Sequence, residues 1–377
     1  MSKRRVLFDA GAMLSNQKTG VGYYVSHLMT SLEQTHNADL QLTGYYFNFL
    51  NRHKDKVVGR LRFHKIVLIP GKLLSACRRL GFQPPLELFI RQKSDVIIFT
   101  NYVSLPLLRK RKILLVIYDL SFLDTPEFAQ DTNLAFLKRF CPPSIRRADT
   151  IITISEFTKQ RLLHHFPDIT SDIVVTPIPP IVGATKKRRL SERLIKKGVK
   201  AKKYILYVGT MEPRKNLENL IAAYAGLDQA TQQTHSLVLA GGRGWKDEGI
   251  LAAVAYHQAK GLDIIMTGYV SEEEKNALYT NAACFVLPSH YEGFGMPIFE
   301  AMEYGIPVAI SDIPVFHEVA GDAAIYFDKN APEDIAHKIT AVLHDSKLRD
   351  KLTKNGQARL KAFSWQDNAH KVYKSLI

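Results

Sequence analysis

The sequence predicts an α/β protein built as two doubly wound, mostly parallel sheets. Three observations point there. Short apolar runs alternate with stretches of helical periodicity. The alternation stops at a basic, aromatic-free stretch over residues 183–203 and then restarts. A length of 377 residues suits two domains of ordinary size, and a hydrophobic content of 46% is normal for a globular chain.

In the first half, strands are expected at Val6–Ala10, Val96–Thr100, Ile113–Tyr118, Thr150–Ile154 and Ile173–Pro177. After the first strand the chain runs through a loop containing Gly20 and Gly22. Val21, Val25, Leu28, Met29 and Leu32 then recur at helical spacing. Ser155 reads as the N-cap of a helix over Glu156–His165. In the second half, strands are expected at Tyr204–Val208, Ser236–Ala240, Asp263–Thr267, Cys284–Leu287, Pro307–Ser311 and Ala324–Phe327. Helices fill the gaps, among them Asn216–Tyr224 and Glu272–Asn281, with a last one from Trp365. The domain reading is 1–185, a basic linker 186–203, a second domain 204–362, and a C-terminal helix 363–377 packing back toward the first domain. Strand–helix alternation of this kind gives a sheet covered on both faces, with ligands beyond the carboxyl ends of the strands.

Charge is uneven. The net charge is +15; residues 1–200 hold 33 Lys and Arg against 15 Asp and Glu, and residues 201–377 hold 18 against 21. Basic residues bunch at Arg109–Lys112, Arg146-Arg147 and Lys186–Arg189. The asymmetry suits an anionic partner for the first half, and an anionic membrane surface is one; a solvated basic face is the competing reading. Nucleic acid fits poorly, because no aromatics interleave with the basic runs. Cys77, Cys141 and Cys284 are far apart and lack metal-type spacing, which suits a reducing, cytoplasmic setting. No run of 18 apolar residues occurs, so no membrane-spanning helix is expected.

The most informative stretch is 284–307, which reads CFVLPSHYEGFGMPIFEAMEYGIP. An apolar strand enters a glycine-rich turn and then a helix opened by Pro297 and stopped by Gly305. Proline suits a helix start because it needs no N–H there. The N–H groups of Phe294, Gly295 and Met296 then form an anion site reinforced by the helix dipole. Glu292 in the turn and Glu300 in the first helical turn flank it, a layout that suits sugar, diphosphate and ribose in a row. A second element, Tyr207–Asn216, ends a strand at Gly209 and then presents Arg214 and Lys215, a planar fork and a mobile point charge suited to phosphate. The absences narrow the field: no Walker loop, no third glycine of a dinucleotide fingerprint after Gly241, and no Asp-x-Asp metal clamp.

The Glu–seven residues–Glu element, with Gly-Phe-Gly-Met-Pro inside it, resembles the signature of the retaining GT-B glycosyltransferases of family 4. The likeness extends to the Gly209…Arg214-Lys215 loop, the glycine-rich Thr19–Tyr24, Ile117–Leu123, Ala148–Thr158, Leu239–Trp245 and Thr267–Ser271. It is dense over 204–328 and looser between about 30 and 95. It implies a GT-B fold, two Rossmann-like domains facing a central cleft, and transfer of a hexose, mannose-type favoured, from a nucleotide diphosphate sugar to a hydroxyl acceptor with retention. The implied setting is cell-surface polysaccharide or glycolipid assembly. It further implies that Lys215 and Arg214 hold the donor diphosphate, Glu292 the donor sugar and Glu300 the ribose. Gly20 and Gly22 would approach the donor closely, and Tyr269 and Val270 would cradle the base. Some relatives place an arginine directly after the glycine, where this chain has Thr210, and relatives usually have a histidine where it has Tyr118. Tyrosine, with a reference pKa of about 10, is a weak base at neutral pH, so Tyr118 and Asp119 are expected only as acceptor-side residues, Asp119 being equally readable as structural. No metal or cofactor is expected; the partners are a GDP- or UDP-sugar, a lipid-linked glycan acceptor, and an anionic inner-membrane face. An epimerase on the same fold and a non-catalytic sugar-nucleotide binder are the competing readings.

Overall fold

The computed structural model describes residues 3–15, 19–47, 61–66, 81–180 and 188–377. Cys77 and the Lys186-Lys187 pair lie outside them. The chain divides into two compact units. Unit 1 is Met1–Asp124, Asp131–Ile178 and Ser364–Ile377; unit 2 is Thr125–Gln130 and Pro179–Phe363.

Unit 1 holds β1 (Arg4–Asp9), β2 (Leu40–Phe47), β3 (Arg62–Ile66), β4 (Val96–Phe99), β5 (Lys112–Ile117), β6 (Thr150–Thr153) and β7 (Asp172–Val175). They form one sheet in the order β3-β2-β1-β4-β5-β6-β7, with every neighbouring pair parallel. All residues of β4 and β6 are buried, as expected of strands covered by helices on both faces. Helix Gly20–His36 packs against helix Trp365–Leu376. Between them His27 stacks on Trp365 at 5.1 Å and His36 on Tyr373 at 3.8 Å, and Asn368 Nδ2 donates to the Pro177 carbonyl at 2.5 Å. Gly20 and Gly22, expected in the loop, instead occupy the first turn of this helix, behind Thr19 in extended conformation. First-turn N–H groups have no intrahelical acceptor to lose, so glycine is tolerated there.

Unit 2 holds β8 (Tyr204–Val208), β9 (Ser236–Ala240), β10 (Ile264–Gly268), β11 (Cys284–Leu287), β12 (Val308–Ser311) and β13 (Ile325–Phe327). The sheet order is β10-β9-β8-β11-β12-β13, again parallel throughout. The order reverses between β8 and β11, and in such sheets the crevice outside that reversal is where ligands bind. Residues 188–203 pack within this unit. Helix Glu192–Lys196, capped by Ser191, directs Arg193 to Glu274 at 2.7 Å and to the Thr267 carbonyl at 3.0 Å. Segment Thr125–Gln130 also belongs here: Trp245 Nε1 donates to the Phe128 carbonyl at 2.7 Å, Lys246 Nζ to the Ala129 carbonyl at 3.1 Å, and Phe128 stacks on His290 at 5.0 Å.

Candidate active site

Two loops meet at the carboxyl edge of the unit 2 sheet, one leaving β8 and one leaving β11. Close backbone approach builds the first. Met211 N–H donates to the Gly242 carbonyl at 3.0 Å, and a Cβ on Gly241 would lie 1.9 Å from the Gly209 carbonyl oxygen, so a side chain there is sterically barred. The loop then forms a short 3₁₀ turn, Pro213–Lys215, closed by Asn216 in the left-handed region at φ 56°. Asn216 Nδ2 donates to the carbonyls of Pro288 (3.0 Å) and Lys329 (2.7 Å), which ties the β8 loop to the β11 loop. His290 N–H, donating to the Arg214 carbonyl at 2.9 Å, ties them a second time.

These ties bring four charges together. Lys215 Nζ lies 2.5 Å from Glu292 Oε1. Arg214 Nη1 donates to Glu292 Oε2 at 2.9 Å and to the Tyr291 carbonyl at 2.7 Å, while Nη2 donates to Glu212 Oε1 at 2.6 Å. Ser289 Oγ donates to Glu292 Oε1 at 2.9 Å. Glu292 is 7% exposed and Glu212 3%. Burial alone would raise the Glu292 carboxyl, but the charges of Lys215 and Arg214 and their hydrogen bonds override it and hold it down at about 2. Charges this deep persist only when paired. The cluster is balanced, two cations against two carboxylates.

Helix Met296–Glu303 follows, with Gly295 as its N-cap at φ 95°, a conformation that favours glycine. Pro297 has no N–H to offer and Ile298 N–H turns back to the Gly295 carbonyl at 2.9 Å, and the helix start carries the positive end of its dipole. Phe294 is turned inward, edge-on to Phe299 at 5.4 Å, so it is the backbone of this turn that faces the edge. Glu300 is the fifth helical residue, in the second turn and not the first as expected, because the helix begins at Met296. Its carboxylate accepts from Lys275 Nζ and from the Tyr279 hydroxyl, both at 2.8 Å. Tyr269 is 63% exposed; Arg193 Nη2 donates to its carbonyl at 3.3 Å and so holds the Tyr269–Val270 loop.

The structure thus brings Gly209, Arg214, Lys215 and Glu292 together in unit 2, where Phe294, Gly295, Met296, Glu300, Tyr269 and Val270 also lie on loops or a helix that leave the sheet at its carboxyl edge. Gly20, Gly22, Tyr118 and Asp119 belong to unit 1. There Tyr118, expected as an acceptor-side group, is turned into the core. It is 6% exposed, its hydroxyl donates to the Thr100 carbonyl at 2.8 Å, and its ring packs between Tyr24 and Tyr102. Burial, with the charge of Asp9 and the neighbouring Tyr24, raises its pKa well above the usual value. An aromatic ring after a strand buried from Ile113 to Ile117 gains more from the core than from the edge, and a backbone carbonyl satisfies its hydroxyl. Asp119 accepts from Ser121 N–H (3.0 Å) and Oγ (2.8 Å), which opens the short helix Ser121–Asp124. Glu212, Lys275 and Tyr279 were not anticipated. Glu212 carries a faint signal, two positions before Arg214; nothing in a single sequence says which carboxylate Lys275 and Tyr279 face. Among the described residues no group of His, Cys, Asp and Glu is placed to hold a metal, and no helix is long and apolar enough to cross a membrane.

Two parallel doubly wound units, with a basic and acidic loop cluster at one sheet's reversal point, define the GT-B class of glycosyltransferases. The family model for "Glycosyl transferases group 1" matches residues 191–359. The chain is 34% identical over 273 residues to O-antigen chain mannosyltransferase B of Escherichia coli, covering 70% of this chain and 71% of that one. It is 27% identical over 270 residues to O-antigen chain mannosyltransferase RfbU of Salmonella typhimurium, covering 71% and 70%. Its fold is similar to that of sucrose-phosphate synthase of Thermosynechococcus elongatus, with TM-score 0.75, 19% identity, and coverage of 100% and 99%. The chain belongs to the group 1 glycosyl transferases and is a glycosyltransferase.

Proposed function

We propose that this enzyme transfers a mannosyl residue from a nucleoside diphosphate donor to a sugar hydroxyl of a growing surface polysaccharide, with retention at the anomeric carbon. The relatives are named mannosyltransferases, which supports a mannose-carrying donor, and our reading takes GDP-mannose for it; a solved neighbour of like fold holds UDP and glucose, which makes UDP-sugars the alternative. The observation that carries the reading is the ion-paired cluster of Arg214, Lys215, Glu212 and Glu292 at the sheet's reversal point.

The chemistry follows from that cluster. The bond between the sugar's anomeric carbon and the diphosphate breaks, the acceptor oxygen bonds that carbon, and the acceptor's proton leaves with the departing diphosphate. Negative charge grows on the phosphate oxygens, and fixed cations stabilise it. Arg214 is pre-set by two carboxylates and a carbonyl, so its fork reorganises little. Lys215 has three donors, one of which meets Glu292. The paired cluster is neutral, so the excess positive potential comes from the N-terminus of helix Met296–Glu303. Glu292 orients the sugar and Glu300 accepts the ribose hydroxyls. Lys215→Ala lowers turnover at least tenfold while binding of the free nucleoside changes little; wild-type turnover would refute the assignment. A thermal-shift comparison of GDP-mannose with UDP-glucose identifies the base, and NMR of the product's anomeric proton tests retention. The lipid-linked acceptor and the attachment of the basic first unit to an anionic membrane face belong to the same reading; absence of sedimentation with anionic vesicles at low salt would remove the latter.

A further inference from the structure

Glu300 is held from two sides by one helix. Helix Glu272–Asn281 opens with a capping box between Ser271 and Glu274, which fixes where its turns begin. Lys275 and Tyr279, four residues apart, share a face and reach different oxygens of the same carboxylate: Lys275 Nζ meets Oε1 and the Tyr279 hydroxyl meets Oε2, each at 2.8 Å. Lys275 also meets Glu272 at 3.1 Å. Tyr279 is fully buried, stacked on Tyr304 at 5.7 Å and tilted against Phe285 at 5.8 Å. The Glu300 side chain keeps 17% of its surface exposed. Each carboxylate oxygen has two acceptor directions. With one direction on each oxygen taken by the helix, the remaining pair can receive two vicinal hydroxyls.

We propose that Lys275 and Tyr279 are positioning residues that set the Glu300 carboxylate to receive both hydroxyls of the donor's ribose. The inference rests on the reading of Glu300 as the ribose acceptor. A hydrogen bond from a locked phenol fixes the carboxylate plane, and the ammonium offsets the like charge of Glu303 one turn away. Tyr279 serves as donor across the working range, since burial, chiefly, and then the Glu300 charge lift its hydroxyl pKa well above the usual value.

The test measures calorimetric Kd values for whichever of GDP and UDP the chain binds, and for the 2′,3′-dideoxy form of the same nucleotide. For Tyr279→Phe, binding of the ribonucleotide weakens about tenfold, as for loss of one buried hydrogen bond to a charged group, and binding of the dideoxy form is unchanged. Lys275→Met behaves likewise, and Lys275→Arg restores part of the loss. Equal weakening toward both nucleotides, or none toward either, overturns the inference. Glu300→Gln separates the two levels. If that variant still distinguishes ribose from dideoxyribose as wild type does, the ribose reading itself fails; if it loses the distinction and Tyr279→Phe does not, the positioning role alone fails.

Discussion

Replacing Glu292 by glutamine keeps the side chain's shape and removes its charge. In the wild type both oxygens are engaged, by Lys215 and Ser289 on one side and Arg214 on the other. The carboxyl is lowered from an ordinary 4.5 to about 2 against the opposing effect of burial. Each tenfold change in proton affinity is worth ~1.4 kcal/mol, so the depression corresponds to ~3 kcal/mol of stabilisation. Removing one partner of a buried ion pair costs a similar ~3–5 kcal/mol. A carboxyl depressed in the folded state contributes stability that is complete above its unfolded pKa, near 4.5, and lost as pH falls toward about 2. The glutamine variant has no such contribution to lose. The variant is therefore ~3 kcal/mol less stable at neutral pH, and the gap narrows as acidity moves below about pH 4. Urea unfolding in a Trp365→Phe background measures this, because the chain has 2 tryptophans and Trp245 then reports unit 2. A difference under ~1 kcal/mol at neutral pH, the size of an exposed pair, would refute the reasoning, as would a gap that does not shrink on acidification.

Other outcomes follow from the same geometry. Gly241→Ala forces the β8 and β9 loops apart, since the added carbon would sit 1.9 Å from a carbonyl oxygen. It lowers unit 2 stability by ~1–3 kcal/mol and weakens nucleotide binding; an unchanged melting curve would argue against the close approach. Glu303 has its carboxyl raised to about 7, by burial first and by the Glu300 charge second. A proton held more tightly in the folded state means stability declines as pH rises from about 4.5 through about 7. Glu303→Gln removes that decline and melts higher than wild type at mildly alkaline pH; parallel melting-temperature profiles for the two proteins would count against it.

The strands most clearly written in the sequence are those buried on both faces. Tyr204–Val208 and Cys284–Leu287 are continuous apolar runs, Ser236–Ala240 is one after its first residue, and the structure has strands with those bounds. β2 and β3 were not read. β2 is broken by Gly44, whose reason is tertiary: a Cβ there would lie 2.7 Å from the Phe63 ring and 2.9 Å from that of Phe8. β3, Arg-Phe-His-Lys-Ile, is an edge strand with too few apolar residues to show a period. Helix Asp131–Arg147 contains Pro142 and Pro143, which local chemistry reads as a stop. At the site, loop chemistry pointed to Arg214, Lys215 and Glu292 as charges beside glycine turns, and the structure pairs these three with one another. It could not name Lys275 or Tyr279, whose contacts with Glu300 span 25 and 21 residues of chain, nor Glu212, whose pairing with Arg214 two positions on exists only in the folded loop. The surroundings of Tyr118 were hidden for the same reason: its partner is a carbonyl on a neighbouring strand's exit.

Neither half of this protein is a contiguous piece of its gene. Residues 125–130 complete the surface around Trp245 and His290, and residues 364–377 cover the helix that follows the first strand. A truncation beginning at Pro179 would strip Trp245 of its hydrogen-bond acceptor and uncover the ring face of His290. During synthesis the first unit emerges early but stays unfinished, its Tyr24 lacking the Trp365 indole until the final helix has cleared the ribosome. Assembly of the first unit thereby waits for residues 364–377.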